Sequence, residues 1–196
     1  MIYMAETLTT PNYPDYPWYK TGRIEDFHRK DSDKLKTLQQ GFLVFDCPII
    51  DISSSLSNDF ANLKDGEETE IIPEVKKVNL IIMTQSCDLA NDKTEQVLLS
   101  AFFPASGYSN NEFKDIKSSR RVALCLIEES EDADINPIGF EKQVIDFRQV
   151  YTLPKEYILE FIGSKTIFGL LPPYREYVAQ EFARFFMRVG KPMDFK

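Results

Sequence analysis

Histidine is nearly missing from this chain: His28 is the only one in 196 residues, and it sits in the polar stretch "EDFHRKDSDK". That scarcity excludes most serine–histidine triads, histidine metal sites and histidine general bases, and leaves carboxylate, thiol, arginine, lysine or tyrosine for any catalysis. Cysteine is scarce too. Cys47, Cys87 and Cys125 are widely spaced with no CxxC, which indicates reduced thiols rather than a disulfide framework or a zinc knuckle. Long apolar runs are missing: "LIIM" at 80–83 is typical of the longest, against roughly 20 residues for a bilayer span. The start of the chain has no basic region followed by an apolar stretch, so the expectation is a cytoplasmic protein. Positive charge is short as well, with 23 lysines and arginines against 31 acids and a net charge of −8. That balance opposes general affinity for nucleic acid, which rests on cations neutralising phosphate. The acidic stretches "KDGEETE" (64–70) and "EESEDAD" (128–134) read as solvated loops.

What is present suits one globular domain, with 43% hydrophobic and 13% aromatic residues. Residues 1–38 read as an extended arm in which proline alternates with aromatics, with a short helix near 31–38. Tyr13, Tyr16, Trp18 and Tyr19 would tack this arm to its own domain or serve as anchors for a partner. The domain proper spans 39–196. Gly41 leads a strand from Phe42 to Phe45, ended by Asp46-Cys47-Pro48, and a long polar insertion follows at about 51–73. "KKVNLIIMTQ" is the best strand of the chain and reads as buried on both faces. "EQVLLSAFFP" (95–104), joined to it by a short link, should lie antiparallel beside it. "RRVALCLIEE" and "KQVIDFRQVYTLP" supply two more strands, "NNEFKDIKSS" a helical turn, and "EYILEFIG" a short helix stopped by Gly163. Pro172-Pro173 starts a last helix over 174–189. At 100° per residue Val178, Ala179, Phe182, Phe185, Phe186 and Val189 share an apolar arc of about 120°, with Glu181 and Arg184 opposite in water. Arg175 falls on the apolar side and must either pair with carboxylate or carbonyl groups, Asp88 or Asp146 being the expected carboxylate, or emerge into a cleft to face a ligand, because an unpaired buried charge costs several kcal/mol.

The densest chemistry is "TQSCD" at 84–88, where the best strand ends. Cys87 is a nucleophile if a cation stabilises its thiolate, with Asp88, Arg175 and Lys77 as candidate companions, and otherwise a small buried residue at a strand end. Gln85, Ser86, Asp146 and Arg148 are candidate binding residues. Ser86 and Asp88 are also natural turn and cap formers. Cys47 and Cys87, each beside an aspartate, lack the spacing of a zinc site, and no metal or cofactor is expected.

Two stretches carry a resemblance: "LQQGFLVFDCPII…VNLIIMTQSCDLAN" and "QVIDFRQVYTLP…LLPPYREYVAQEFARFFMRVGKP". Over roughly 38–192 they resemble a family of uncharacterised bacterial proteins with (S/T)QSCDL and PPYRE…FARFFMRVG motifs. More remotely, the order of strands is similar to the MazF/PemK toxins. That similarity implies an α+β fold: a small, strongly bent antiparallel SH3-like barrel with a C-terminal helix packed on it. Ribonucleases of that type place an arginine at the start of the first long apolar strand and a serine or threonine near the start of the next, where this chain has Lys77 and Gln96. The expected function is a non-enzymatic accessory protein that binds a protein partner or itself rather than nucleic acid. The alternative is a MazF-like ribonuclease or other hydrolase with its site around 84–88.

Overall fold

The computed structural model describes residues 17–27, 37–51, 74–129 and 141–187. The polar insertion, the helix expected near 31–38 and most of the proline-rich arm, including Tyr13 and Tyr16, lie outside these residues. The fold is α+β, with seven strands in one antiparallel sheet and four α-helices among the described residues. In chain order they are β1 (Tyr19–Gly22), β2 (Phe42–Asp51), β3 (Glu74–Ile82), α1 (Ser86–Ala90), β4 (Gln96–Pro104), α2 (Asn110–Lys117), β5 (Leu124–Ile127), β6 (Gln143–Pro154), α3 (Lys155–Ile162), β7 (Ile167–Leu170) and α4 (Tyr174–Phe186). The sheet order is β1-β7-β2-β3-β4-β6-β5.

The expected closed barrel does not form, because β1 and β5 are the two ends of the sheet and do not pair with each other. The sheet is nevertheless rolled. Six strand-to-strand steps of about 4.8 Å would part its edges by about 29 Å if it were flat. Instead the Tyr19 hydroxyl in β1 donates to the carbonyl of Glu128, one residue beyond β5, at 2.6 Å. Burial, reinforced by Glu128 and then Cys125, raises the Tyr19 phenol well above its ordinary value and keeps it a donor. Tyr19–Gly22, within the expected arm, is thus a strand of the sheet.

Both faces of the sheet are covered, which is why β3 carries an apolar run rather than an alternating one. Phe42, Val44, Leu80, Ile82, Val97 and Leu99 pack with Ile24 and with Ile158 and Ile162 of α3. Their neighbours Leu43, Ile81, Phe102, Ile145 and Phe147 pack with Tyr174 and Val178 of α4. Burying Leu80, Ile81 and Ile82, none of them exposed, contributes about 2 kcal/mol each.

Three local expectations change. β2 does not stop at Asp46-Cys47-Pro48 but pairs with β3 as far as Asp51. Asp46 takes a left-handed conformation (φ 50°) in a β-bulge, and the Asn79 side chain accepts its N–H at 3.0 Å. "TIFGLL", to which no element is assigned above, supplies β7, which joins β1 to β2. Finally, α4 is rotated about its axis from the expected setting. Tyr174, Val178 and Glu181 form its buried line, Glu181 only 4% exposed with Arg184 at 3.4 Å, while Phe186 is 56% exposed. The i, i+4, i+7 line of Tyr174, Val178 and Glu181 thus faces inward, with Phe182 and Phe185 only partly buried beside it.

Candidate functional site: a bulge and an aromatic cleft

The 84–88 stretch turns out to be mainly a set of stitches. Thr84 Oγ1 accepts the Leu98 N–H of β4 at 2.7 Å, and Ser86 Oγ accepts the Gln40 N–H at 3.0 Å. Gln40 Nε2 donates in return to the Met83 carbonyl at 2.8 Å. These bonds tie the end of β3 to the turn that opens β2. Asp88 is paired with Lys93 at 3.2 Å. Cys87 is exposed, correcting the expectation of a buried strand-end thiol, and its sulfur lies 3.6 Å from Gln85 Oε1 and 3.7 Å from Asp88 Oδ1. The reason is that α1 begins at Ser86 and turns its first residues outward. Cys47 and Cys125 are buried. Among the described residues no group of three or more histidine, cysteine, aspartate or glutamate side chains is placed to hold a metal.

Arg175 does not reach Asp88 or Asp146. Its guanidinium pairs with Glu176, its neighbour in sequence, at 2.7 Å. Its stem lies against Gly41, where an added Cβ would stand 3.1 Å from Arg175 Cγ. The start of α4 and the 84–88 stretch therefore meet the same turn from two sides, through Gly41 and Gln40, while their charges stay in separate pairs. Lys77 is elsewhere again, in a cleft of about 370 Å³ between β3 and β4 with Asp46, Asn79, Gln149 and Tyr151. Trp18 stacks on Tyr174 at 3.8 Å between ring centroids, and Tyr19 belongs to the core. Tyr19 is therefore a core residue rather than a partner anchor.

Asp146 and Arg148, by contrast, build one device. Ser100 faces Val150 and Ala101 faces Asp146, so Phe147, Arg148 and Gln149 bulge out of β6. Buried Asp146 clamps the bulge: its carboxylate accepts the Arg148 backbone N–H at 3.0 Å, Arg148 Nε at 2.8 Å, Nη2 at 2.8 Å and Gln149 Nε2 at 3.3 Å. Buried Ser100 adds a bond from its hydroxyl to the Asp146 carbonyl at 2.9 Å. Burial raises the Asp146 pKa, but the Arg148 guanidinium, the Arg148 N–H and the Gln149 amide outweigh it and hold the carboxyl below its ordinary value. The clamp uses the Nε–Nη2 edge of the guanidinium, and the Arg148 side chain is otherwise largely exposed.

Arg148 also lines a cleft of about 580 Å³, together with Leu98, Phe147, Val150, Phe182, Phe185 and Phe186. Phe147 meets Phe182 edge-on with centroids 5.3 Å apart, and Phe186 meets Phe182 at 4.8 Å. Met187, 73% exposed, follows directly. Sequence reasoning assigned these phenylalanines to the core and missed the cleft. Two signals were there to read: the breadth of the aromatic arc on α4, wider than one buried line needs, and Ser100, which interrupts the apolar run Val97–Phe103 of β4. No protein-family model matches this chain, and no curated protein sequence matches it either.

Proposed function

We propose that this chain is a non-enzymatic binding protein whose aromatic cleft receives an apolar segment of a protein partner, with a carboxylate of that segment meeting Arg148. The observation that carries the reading is the cleft itself: three phenylalanines of α4 bordering open space above buried Phe147, with an arginine fixed beside them. Contiguous exposed apolar surface of this kind marks interaction sites, and aromatic residues with arginine dominate interface energetics. Its volume suits a few inserted side chains. Arg148 supplies the charge complementarity. Its remaining N–H groups favour a carboxylate, and its held geometry lowers the entropy lost on binding. A likeness to MazF/PemK-type folds would be one of architecture alone, and fold-level likeness carries no activity. The hydrolase or ribonuclease alternative gains no support from the geometry, since Cys87, Asp88, Arg175 and Lys77 do not share a pocket among the described residues.

Selection of the purified protein against a random displayed peptide library tests the proposal. Enriched peptides are expected to combine bulky apolar residues with a nearby carboxylate, and to lose at least tenfold in affinity against Phe186→Asp or Arg148→Ala. No enrichment, or enriched peptides indifferent to both substitutions, would reject it.

A further inference from the structure

The bulge that carries Arg148 has a second cationic neighbour. β5 and β6 pair as far as Leu124 and Asp146, and the contact continues into the bulge, where the Phe147 N–H donates to the Ala123 carbonyl at 2.9 Å. Ala123 belongs to the turn Arg121–Leu124, closed by the Leu124 N–H donating to the Arg121 carbonyl at 2.8 Å. The turn that begins at Arg121 is therefore bonded to the bulge that carries Arg148. Both arginines also act on the half-buried Tyr108. Burial raises its phenol, Asp146 raises it further, Arg148 opposes, Glu112 adds and Arg121 opposes, so the Asp146–Arg148 and Glu112–Arg121 pairs reach one hydroxyl.

Arg121 ends a run of like charge. Residues 114–121, "KDIKSSRR", hold four cations against one acid in a chain whose net charge is −8, and all four cations are exposed. Lys114 and Lys117 stand in the last turn of α2, where cations complement the helix dipole. Arg120 and Arg121 lie beyond the helix, paired at the surface with Asp115 at 3.5 Å and Glu112 at 3.3 Å. Exposed pairs of this kind contribute little stability, so folding alone does not account for the two arginines. A guanidinium also has five N–H donors, more than one carboxylate takes up.

We propose that the partner segment received by the aromatic cleft is acidic beyond its apolar anchor: past the carboxylate that meets Arg148, a run of aspartate or glutamate continues by Tyr108 to Arg121, Arg120 and the lysines of α2. The inference rests on the cleft being the binding site and adds the charge and course of what leaves it. On a molecule of net negative charge an acidic segment is repelled at most approaches, so a local cationic ridge beside the cleft fixes the direction in which it runs. A basic segment would meet like charge at the same place, which is how a charged rim selects one partner over another.

Fluorescence anisotropy of the full chain with labelled peptides tests this. Each peptide carries one apolar-plus-carboxylate anchor enriched by the cleft, continued at either end by a run of glutamates or, in its counterpart, by an equal run of lysines. At one of the two ends the glutamate form is expected to bind about tenfold more tightly than the lysine form at low salt, and the ratio should shrink as salt screens the exposed charges. Replacing both arginines, Arg120→Gln with Arg121→Gln, should lower that ratio by about threefold or more, with a thermal unfolding scan showing that the variant is folded. Equal affinity of the glutamate and lysine forms at both ends, or a ratio that the double substitution leaves unchanged, would overturn this inference and leave the reading of the cleft standing. Absence of any enriched anchor would overturn the two together. Displacement of the glutamate form by a short single-stranded oligonucleotide, at lower concentration than its own unlabelled copy requires, would assign the ridge to phosphate and overturn it as well.

Discussion

Asp146 shows how one buried carboxylate can specify a surface. It holds the bulge of β6 and orients Arg148, so its charge matters to both stability and presentation. Its pKa in the folded chain lies below the ordinary value, so the stability it contributes is fully present above the unfolded value of about 3.9 and is lost as the pH falls through the folded value. Asp146→Asn is expected to cost about 1–3 kcal/mol near neutral pH, and the gap between variant and parent should narrow as the medium becomes acidic. Urea unfolding of both proteins over a pH series measures this. A gap that does not change with pH would show that the carboxylate charge is not what holds the bulge.

At the level of elements, the turn before β2 is where the chain tolerates least. Gly41 has φ 85°, and its amide donates to the Ile82 carbonyl at 2.8 Å while its carbonyl accepts the Leu170 N–H at 3.0 Å. A side chain there would meet both Arg175 and Leu170 at 3.1 Å. Gly41→Ala therefore combines backbone strain with a collision and should destabilise by about 1–3 kcal/mol. An unchanged midpoint of thermal unfolding would contradict that reading. The helix α4 teaches the opposite lesson. It was located within a few residues from its proline start, yet its inward face was misjudged, because an apolar arc in a helix says which residues avoid water and not which of them find a covering surface. Glu181, assigned to solvent, is buried, and Phe186, assigned to the core, is exposed.

On the scale of the whole molecule, the rolled sheet depends on its edges being drawn together without strand pairing. The Tyr19–Glu128 bond is such a tie, while the Trp18–Tyr174 stack fixes the residue before β1 on α4. Tyr19→Phe keeps the ring in the core and removes only the hydroxyl. It is expected to cost about 1 kcal/mol, equivalent to about 2–4 °C in Tm for a chain of this size, and to speed hydrogen exchange of the β1 amides in particular. Exchange that rises evenly over the whole sheet, or not at all, would mean that the edges are held by packing alone.

Residue order by itself determined a good deal of this protein. The periodicity of "VNLIIM" and "VLLSAFF", the glycine before Phe42, the prolines before Tyr174 and the glycine after Ile162 are local signals, written in backbone preference and hydrophobic pattern, and they located most of the strands and helices and the antiparallel β3–β4 neighbours. Only the tertiary structure decided the rest, because it concerns distances between segments far apart in the chain. Whether β1 joins a sheet, whether that sheet closes, and which carboxylate an arginine meets depend on competition among many possible partners. Thus Asp88 found Lys93 and Arg175 found Glu176, both close in sequence, while Thr84 and Ser86 became ties to Leu98 and Gln40. The "TQSCD" stretch that drew attention for its chemistry holds the fold together, and the cleft proposed to act was assembled from phenylalanines that looked like core.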